Sequence, residues 1–223
     1  MNYFMFILSF LQLWCTVEPQ QNMASIGIPS QSTTYYWPLV GKNLTADLAI
    51  TGPPTNDFNS VSCSTTNIYL VSAYWMLSFP TASVYVTTVK IFYRGGFTYR
   101  LAGYYLYISN SSSPIPSGSL CYHDKGPNLP SENQTVNCYG IGKNVIIYNT
   151  RIAPIPSGYS TDAVLELCDV QIIGCIRTWY GSSCQLPCSL NCLNQDCFPE
   201  NGSCVWGCNS TIFKKEQTSM FNQ

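Results

Sequence analysis

The alternation of hydrophobic and polar residues predicts strands, and no stretch shows the periodicity of an amphipathic helix. Between 83 and 93 the apolar residues alternate through Val84 and Val86 and then continue, one position out of phase, at Val89 and Ile91. Alternation with a period of two is typical of a half-buried strand. The change of phase predicts a β-bulge within that strand.

Three further short runs are rich in β-branched and aromatic residues, which predicts strands at 104–109, 143–149 and 164–173. The segments between them are rich in Pro, Gly and Ser, as in Pro154–Gly158. Many short strands separated by such turns predict an all-β fold, a β-sandwich or jelly roll, over residues 36–174.

The N-terminal segment is strongly apolar, since Phe4–Trp14 contains only Ser9 and Gln12 as polar residues. These 11 residues are too few to span a bilayer, which needs about 20, but they fit the core of a signal peptide. We therefore predict a signal peptide over 1–15, a linker over 16–35 and a secreted protein. No later segment is long and apolar enough to predict a membrane span.

Charge is scarce in this chain. Asp, Glu, Lys and Arg make up 9 % of its 223 residues and the net charge is −1. Without a basic cluster we expect no binding to nucleic acid or to an anionic membrane surface. Five N-x-Ser/Thr triplets predict N-glycosylation in the secretory route. They begin at Asn43, Asn110, Asn133, Asn201 and Asn209.

The 12 cysteines fall into two groups once Cys15 is removed with the signal peptide. The widely spaced group is Cys63, Cys121, Cys138 and Cys168. The dense group is Cys175, Cys184, Cys188, Cys192, Cys197, Cys204 and Cys208. The spacing of the dense group lacks the paired pattern of zinc sites and no His accompanies it, so a disulfide framework explains it better than zinc does. A domain boundary is expected at 174/175, followed by a disulfide-rich segment over 175–208 and a polar tail over 209–223.

The dense group resembles the EGF-like repeat. Cys175–Cys184, with an aromatic residue and Gly181 before the last cysteine, is similar to the closing loop of one repeat, and the next five cysteines are similar to the start of another. The resemblance implies the pairs Cys175–Cys184, Cys188–Cys197 and Cys192–Cys204. Cys208 is then left without a partner, so the second repeat is incomplete. A truncated product, a splice form or a free thiol that links two chains would each explain it.

The larger region resembles the fucolectin-type, galactose-binding-like domain over roughly residues 40–174. The segments that carry the resemblance, in order, are Phe58–Ser64, Tyr74–Leu77, Val89–Arg94, Arg100–Gly103, Leu106–Ile108 and Glu166–Gly174. Their order before an EGF-like stretch is similar to ectodomains of invertebrate multiple-EGF-like and scavenger-receptor-like proteins. The resemblance implies a jelly-roll sandwich with disulfides Cys63–Cys168 and Cys121–Cys138.

The same resemblance implies a sugar site. The two basic residues that contact fucose in the family match Arg94 and Arg100, whose guanidinium groups can donate paired hydrogen bonds to neighbouring hydroxyls. The family's histidine falls at Thr65, and its adjacent cysteine pair falls near Gly96-Phe97, so both are replaced here. Tyr93, Phe97 or Tyr99 would supply an apolar face to the sugar. Alternatively, the two arginines only hydrogen-bond loop carbonyls.

The family also implies a calcium ion beside the site, for which Asp57 and Asn59 are the candidate ligands. Calcium takes several oxygen ligands, and Asp57 as an ordinary turn residue is the competing interpretation. No cofactor is required by the sequence, and calcium is the one candidate.

Enzymatic chemistry is not indicated. The single histidine, His123, lies beside Asp124 without a recognisable nucleophile. Glu166 and Asp169 are three apart on one strand and are expected to point to opposite faces, which excludes an acid–base pair. We therefore predict a non-enzymatic extracellular recognition protein with a carbohydrate-binding module. The alternative is an adhesive or protein-interaction ectodomain that binds no sugar, including a truncated form of an EGF-repeat receptor.

Overall fold

Strands dominate the computed structural model, which describes residues 20–111, 113 and 118–209. The predicted signal peptide and nearly all of the predicted polar tail lie outside the described residues. In chain order the strands are β1 (Gln21–Asn22), β2 (Ile28–Gln31), β3 (Tyr36–Trp37), β4 (Lys42–Asn43), β5 (Ser64–Thr65), β6 (Ser72–Ser78), β7 (Val84–Tyr93), β8 (Tyr105–Ser109), β9 (Ser119–His123), β10 (Asn133–Gly142), β11 (Asn144–Thr150), β12 (Glu166–Ile176), β13 (Trp179–Tyr180) and β14 (Leu186–Pro187).

Helices are short. The α-helices are α1 (Leu48–Thr51) and α2 (Thr98–Leu101), and 3₁₀ turns cover Met23–Ile26, Phe58–Ser60 and Leu193–Gln195. This confirms the prediction of an all-β fold.

Two antiparallel sheets form the sandwich. The first has the order β1-β12-β7-β10, with β5 also paired to β12, and the second has the order β2-β6-β11-β8-β9. Alternate residues of the two sheets meet between them in one apolar core. Trp75, Val89, Leu106, Ile147 and Ile172 are among its fully buried members.

The predicted bulge lies in the middle of β7. Its pairing with β12 shifts between Ile173 and Gly174, which oppose Thr88 and Val86, so Thr87 is the extra residue. The core positions therefore change phase there, as the sequence predicted. Gly174 is required at this point, because a Cβ built on it would lie 2.1 Å from the carbonyl oxygen of Tyr85.

The region predicted as a linker, 16–35, is part of the sandwich over the residues described. β1 pairs with β12 in the first sheet and β2 pairs with β6 in the second. Met23 and Ala24, on the turn that joins these two strands, are buried in the core. The linker prediction is wrong here because edge strands of two and four residues are held by pairing and burial, which leave little pattern in the sequence.

The expected boundary at 174/175 also falls inside a strand. β12 continues to Ile176, and Cys175 is fully buried in the structure. The change in cysteine density therefore marks where the sandwich becomes disulfide-rich, while the backbone of one strand continues through it. Beyond β12 the chain forms the small hairpin of β13 and β14 and then loops.

Five disulfides join the cysteines in the pattern that the two resemblances imply. They are Cys63–Cys168, Cys121–Cys138, Cys175–Cys184, Cys188–Cys197 and Cys192–Cys204. Within the described part of the chain, Cys208 is the cysteine with no disulfide partner, and it is exposed.

Four of the predicted glycosylation sites, Asn43, Asn110, Asn133 and Asn201, are exposed, and Asn209 is partly exposed. Over residues 20–111 and 118–209, no helix is long and apolar enough to cross a membrane.

Candidate functional site

The two candidate arginines lie at the end of β7 and in the helix that follows it. Arg94 comes directly after the last residue of β7, and Arg100 lies in α2. The turn between them contains Gly95 and Gly96, and Gly96 has a φ of +77°, which favours glycine. The tight turn brings both guanidinium groups to the same end of the sandwich.

Glu166, the first residue of β12, holds both arginines. One carboxylate oxygen accepts from Nη1 of Arg94 at 2.6 Å, and the other accepts from Nη1 of Arg100 at 3.1 Å. The side chain of Glu166 is 1 % exposed, whereas those of the arginines are 22 % and 24 % exposed. A buried carboxylate is stable only when paired, so Glu166 fixes two cations that still reach solvent.

The charge balance of this cluster is positive, since two guanidinium groups face one carboxylate. Burial lowers the pKa of Arg100, but the charge of Glu166 and its hydrogen bonds raise that pKa by more, so the net shift is upward.

The alternative that these arginines only hydrogen-bond loop carbonyls is wrong. Their side-chain bonds in the described chain go to Glu166.

Aromatic rings enclose the guanidinium groups. The Cζ atom of Arg94 lies 3.8 Å from the ring centre of Phe58 and 3.8 Å from that of Phe97. The Cζ atom of Arg100 lies 4.8 Å from the ring centre of Phe97 and 5.8 Å from that of Tyr99. Such cation–π contacts contribute about 0.5–2 kcal/mol each and restrict the orientation of both side chains.

Thr65 borders the same cleft as the two arginines. It lies on β5, is 3 % exposed, and its hydroxyl donates to the Cys63 carbonyl at 3.4 Å. The cleft has a volume of about 380 Å³. Its other lining residues are Tyr35, Trp37, Leu39, Phe58, Asn59, Ile68, Val164 and Glu166. The structure therefore brings all three predicted ligand residues together.

Tyr93 cannot present its ring to a ligand. It is fully buried, and its hydroxyl donates to the Val164 carbonyl at 2.9 Å. Burial, followed by the charge of Glu166, raises the pKa of this phenol well above its ordinary value. Of the three aromatic residues predicted for an apolar face, Phe97 and Tyr99 remain candidates, because both lie beside the arginines.

Asp57 and Asn59, the candidate calcium ligands, lie together in a turn. The Asp57 carboxylate accepts from the Asn59 N–H at 2.9 Å and so caps the 3₁₀ turn Phe58–Ser60. In the ranges that the structure describes, no three Asp, Glu, His or Cys side chains are grouped so that they could hold a metal ion. Calcium takes six to eight oxygen ligands, which include backbone carbonyls, so the calcium site stays a prediction.

Sequence reasoning missed the pairing role of Glu166 and misplaced Asp169. The β12 pairing shifts between Leu167 and Asp169, so this strand also contains a bulge. Leu165, Leu167, Val170 and Ile172 are in the core, which places Glu166 and Asp169 on the same outer face. The prediction of opposite faces is wrong for this reason. The two carboxyl groups have separate partners, since Asp169 accepts from Gln171 at 2.9 Å.

Trp37 and Phe58 are further residues of the cleft that the sequence did not single out. Their ring centres are 4.7 Å apart, and Phe58 covers one face of Arg94. Phe58 lies inside a segment that resembles the fucolectin-type domain, but Trp37 comes from the distant β3, and its position follows from the tertiary structure alone.

Comparison with known proteins finds similarity in structure alone. No protein-family model matches this chain, and no curated protein matches it significantly. Among solved structures, a fucolectin from the serum of striped bass, Morone saxatilis, matches with a TM-score of 0.56 and 23 % identity, over 70 % of this chain and 49 % of that one. This chain thus spans about half of the bass protein.

Two bacterial lectin modules match over nearly their whole length. A fucose-binding module of Streptococcus pneumoniae, SpX-3, has a TM-score of 0.51 and 22 % identity, over 68 % of this chain and 96 % of the module. The lectin domain of lectinolysin, complexed with Lewis b antigen, has a TM-score of 0.51 and 20 % identity, over 68 % and 95 %. These likenesses show that the chain has the jelly-roll β-sandwich fold of these structures.

Proposed function

We propose that this protein is a non-enzymatic, extracellular recognition protein that binds a glycan in the cleft of Arg94 and Arg100. The observation that carries the proposal is the pair of guanidinium groups held by the buried carboxylate of Glu166. Groups held in place before the ligand arrives lose little conformational entropy on binding, which favours affinity.

The unused donors of the two arginines suit a sugar. Each arginine uses Nη1 for Glu166, and within the described residues neither Nε nor Nη2 of either side chain donates to a protein group. A guanidinium offers five N–H donors in a rigid plane, so several remain for the neighbouring hydroxyls of a pyranose ring. The rings of Trp37 and Phe58, which line the cleft, offer apolar surface for its C–H face.

The names of the similar structures suggest which glycans to try first. One is a fucolectin, another is a fucose-binding module, and the third was solved with Lewis b antigen. Fucosylated glycans are therefore the first probes for this chain. Thr65 lines the cleft where fucolectin-type domains have a histidine. The specificity of this chain toward fucosylated glycans therefore has to be measured and does not follow from theirs.

We propose in addition that binding requires no metal ion. This is supported by the capping role of Asp57, which uses one oxygen of its carboxylate within the turn. An extracellular location is supported by five disulfides, which persist in oxidising compartments.

A glycan array probed with the secreted protein, in calcium and in EDTA, tests the proposal. We expect binding to a set of glycans, equal in both buffers, and a loss of at least tenfold in Arg94→Ala and Arg100→Ala, because each truncation removes charge-assisted hydrogen bonds of about 1.5–3 kcal/mol. Arg100→Lys keeps the charge but loses the planar fork, so it should also weaken binding. Lys143→Ala, an exposed cation on the turn between β10 and β11, is the matched control and should bind as the wild type does.

Two results would contradict the proposal. If no glycan on the array binds, an adhesive or protein-interaction role for the same fold is favoured. Glycan binding that Arg94→Ala and Arg100→Ala leave intact would place the ligand elsewhere on the molecule.

A further inference from the structure

The C-terminal segment gathers five sulfur atoms into one small cluster. Cys188–Cys197 and Cys192–Cys204 are disulfides, and among the described residues Cys208 is the cysteine without a disulfide partner. The first three cysteines of the cluster are buried together, and Cys204 packs against them. An odd number of sulfurs in one cluster leaves a thiol beside disulfides, which is the arrangement that thiol–disulfide exchange requires.

The thiol of Cys208 is in contact with one of these disulfides. Its Sγ lies 3.8 Å from Sγ of Cys204, which is bonded to Cys192. Exchange begins when a thiolate attacks a disulfide sulfur, and here the attacking atom and its target are already neighbours. Two reacting groups that are held together react as one molecule does, without the entropic cost of an encounter. The internal step should therefore compete well with reactions of Cys208 with other molecules.

Backbone pairing keeps Cys208 beside this disulfide. Cys192 and Cys208 face each other in an isolated antiparallel bridge. Two backbone hydrogen bonds flank the pair, from the Leu193 N–H to the Gly207 carbonyl at 3.0 Å and from the Asn209 N–H to the Asn191 carbonyl at 2.7 Å. Flanking bonds of this kind define a non-hydrogen-bonded pair, in which the Cα atoms are about 4.5 Å apart and the side chains are close. Cys208 thus lies opposite one cysteine of the disulfide and touches the sulfur of the other.

The three cysteines differ in their exposure to solvent. Cys208 is exposed and Cys204 is partly exposed, whereas Cys192 is 1 % exposed. If the free thiol passed from Cys208 to Cys192, it would move from the surface to the interior. A buried thiol is chemically inert toward other molecules, so such a transfer would withdraw the reactive group of the segment from solvent.

We propose that Cys208 and the Cys192–Cys204 disulfide form an exchange site that holds the segment in two interconverting disulfide isomers. The thiol of Cys208 loses its proton to solvent, and the thiolate attacks Sγ of Cys204. The Cys204–Cys208 bond forms, the Cys192–Cys204 bond breaks, and Cys192 leaves with the electron pair and takes up a proton. One thiol and one disulfide are present before and after, so the step needs no oxidant or reductant.

The two isomers differ in what they can do. The released thiol of Cys192 stays opposite Cys208 in the paired backbone, so the step is reversible. The isomer with its thiol at Cys208 can form a disulfide with a second chain, whereas the isomer with its thiol at Cys192 cannot. The exchange site therefore controls how much of the protein is available for covalent linkage, independently of glycan binding.

Disulfide mapping of the wild-type secreted protein tests this proposal without any variant that could misfold. The protein is held at pH 8, quenched in acid and digested with pepsin without reduction, because exchange needs the thiolate and stops in acid. Mass spectrometry should find both the Cys192–Cys204 and the Cys204–Cys208 linkage. Each isomer, separated in acid and returned to pH 8, should regenerate the same mixture within about minutes to hours, the time of uncatalysed disulfide rearrangement.

A pair of variants tests the contact between the two sulfurs directly. Cys192→Ser leaves Cys204 and Cys208 without other partners, and we expect them to join. The variant should then contain no free thiol in a titration with Ellman's reagent and should form no dimer on a non-reducing gel. Cys138→Ser is the matched control, since it opens a disulfide of the sandwich and leaves Cys121 and Cys208 as two free thiols.

Three results would overturn the proposal. The first is a wild-type protein at pH 8 in which Cys208 is free in every molecule. The second is a Cys192→Ser monomer with two free thiols. The third is a linkage of Cys208 to Cys192 with none to Cys204, because the attack would then fall on the other sulfur. Cys208→Ser removes the attacking thiol and should show the Cys192–Cys204 linkage alone, so a second linkage in this variant would also contradict the assigned role of Cys208.

Discussion

The sandwich and the cysteine-rich segment that follows it are stabilised in different ways. In the part of the chain that the structure describes, the sandwich has an apolar core of 26 buried residues, whereas the buried cluster of the C-terminal segment consists of Cys188, Cys192 and Cys197, with Tyr180 and Cys204 packed against it. Residues 178–208 are too few to bury a sufficient apolar core, so covalent bonds replace burial there. The comparison teaches that one chain can use the hydrophobic effect in one region and disulfides in the next, while one strand, β12, belongs to both.

The largest effect is expected from removing the central tryptophan of the sandwich. Trp75 is fully buried, and its indole N–H donates to the Ala46 carbonyl at 3.0 Å. Trp75→Ala should lower the free energy of unfolding by about 3–5 kcal/mol, measured by denaturant titration. Trp206→Ala is the counterpart in the C-terminal segment, where the ring is 59 % exposed. It should leave the sandwich transition unchanged, and equal effects of the two variants would contradict the comparison.

The next largest effect should be a loss of stability confined to the C-terminal segment. Replacing both Cys188 and Cys197 with alanine removes one disulfide of the C-terminal cluster without leaving a free thiol. We expect a loss of about 2–4 kcal/mol in the local stability of residues 178–208, because the unfolded segment is no longer constrained. Hydrogen exchange should become fast in that segment and stay slow in β7. Fast exchange in both would show that the sandwich depends on the segment.

Replacing Asp169 should have a smaller effect on stability, and it should stabilise the folded state. Burial raises the pKa of this carboxyl, although the hydrogen bond from Gln171 lowers it in part. A raised pKa means that the folded state binds the proton more tightly than the unfolded state, so the ionised form costs stability at neutral pH and the cost disappears as pH falls toward the carboxyl range. Asp169→Asn should therefore melt above the wild type at pH 7, and the difference should shrink on acidification. Asp47→Asn, an exposed aspartate, is the control.

The smallest effect on stability is expected at Cys208. Its Sγ is exposed and lies 3.8 Å from Sγ of Cys204. If it links two chains, a non-reducing gel of the secreted protein should show a dimer that Cys208→Ser abolishes, while the melting temperature stays within about 1 °C, since an exposed side chain contributes little to stability. A monomer for the wild type under the same conditions would contradict a link between two chains.

Much of the sandwich could be predicted because the signals are local. The phase change around Val86 and Val89 is visible in the sequence, and short runs of β-branched and aromatic residues mark β8 and β11. The resemblance to fucolectin-type domains added long-range information, and it is what placed Arg94, Arg100 and Thr65 in one cleft. Without it, the arginines would have been two cations near a turn.

The wrong predictions share one cause. In each case, contacts with residues distant in sequence determined the local structure. β1 and β2 are too short to show a pattern, and they become strands because β12 and β6 offer open edges to them. Tyr93 is an aromatic residue of the kind predicted to face a sugar, yet the register of β7 turns its side chain into the core. Glu166 was visible as a charge in an apolar strand, but its role became clear only when two arginines more than 60 residues earlier were found around it.

The sequence by itself determined the strand-rich class of the protein and its two groups of cysteines, because these depend on composition, spacing and alternation along the chain. The residues of the candidate cleft came from the resemblance to fucolectin-type domains. Only the tertiary structure decided which carboxylate pairs with the arginines and which aromatic side chains face solvent. These depend on strand register, and a shift of one residue would turn every side chain of a strand to the opposite face.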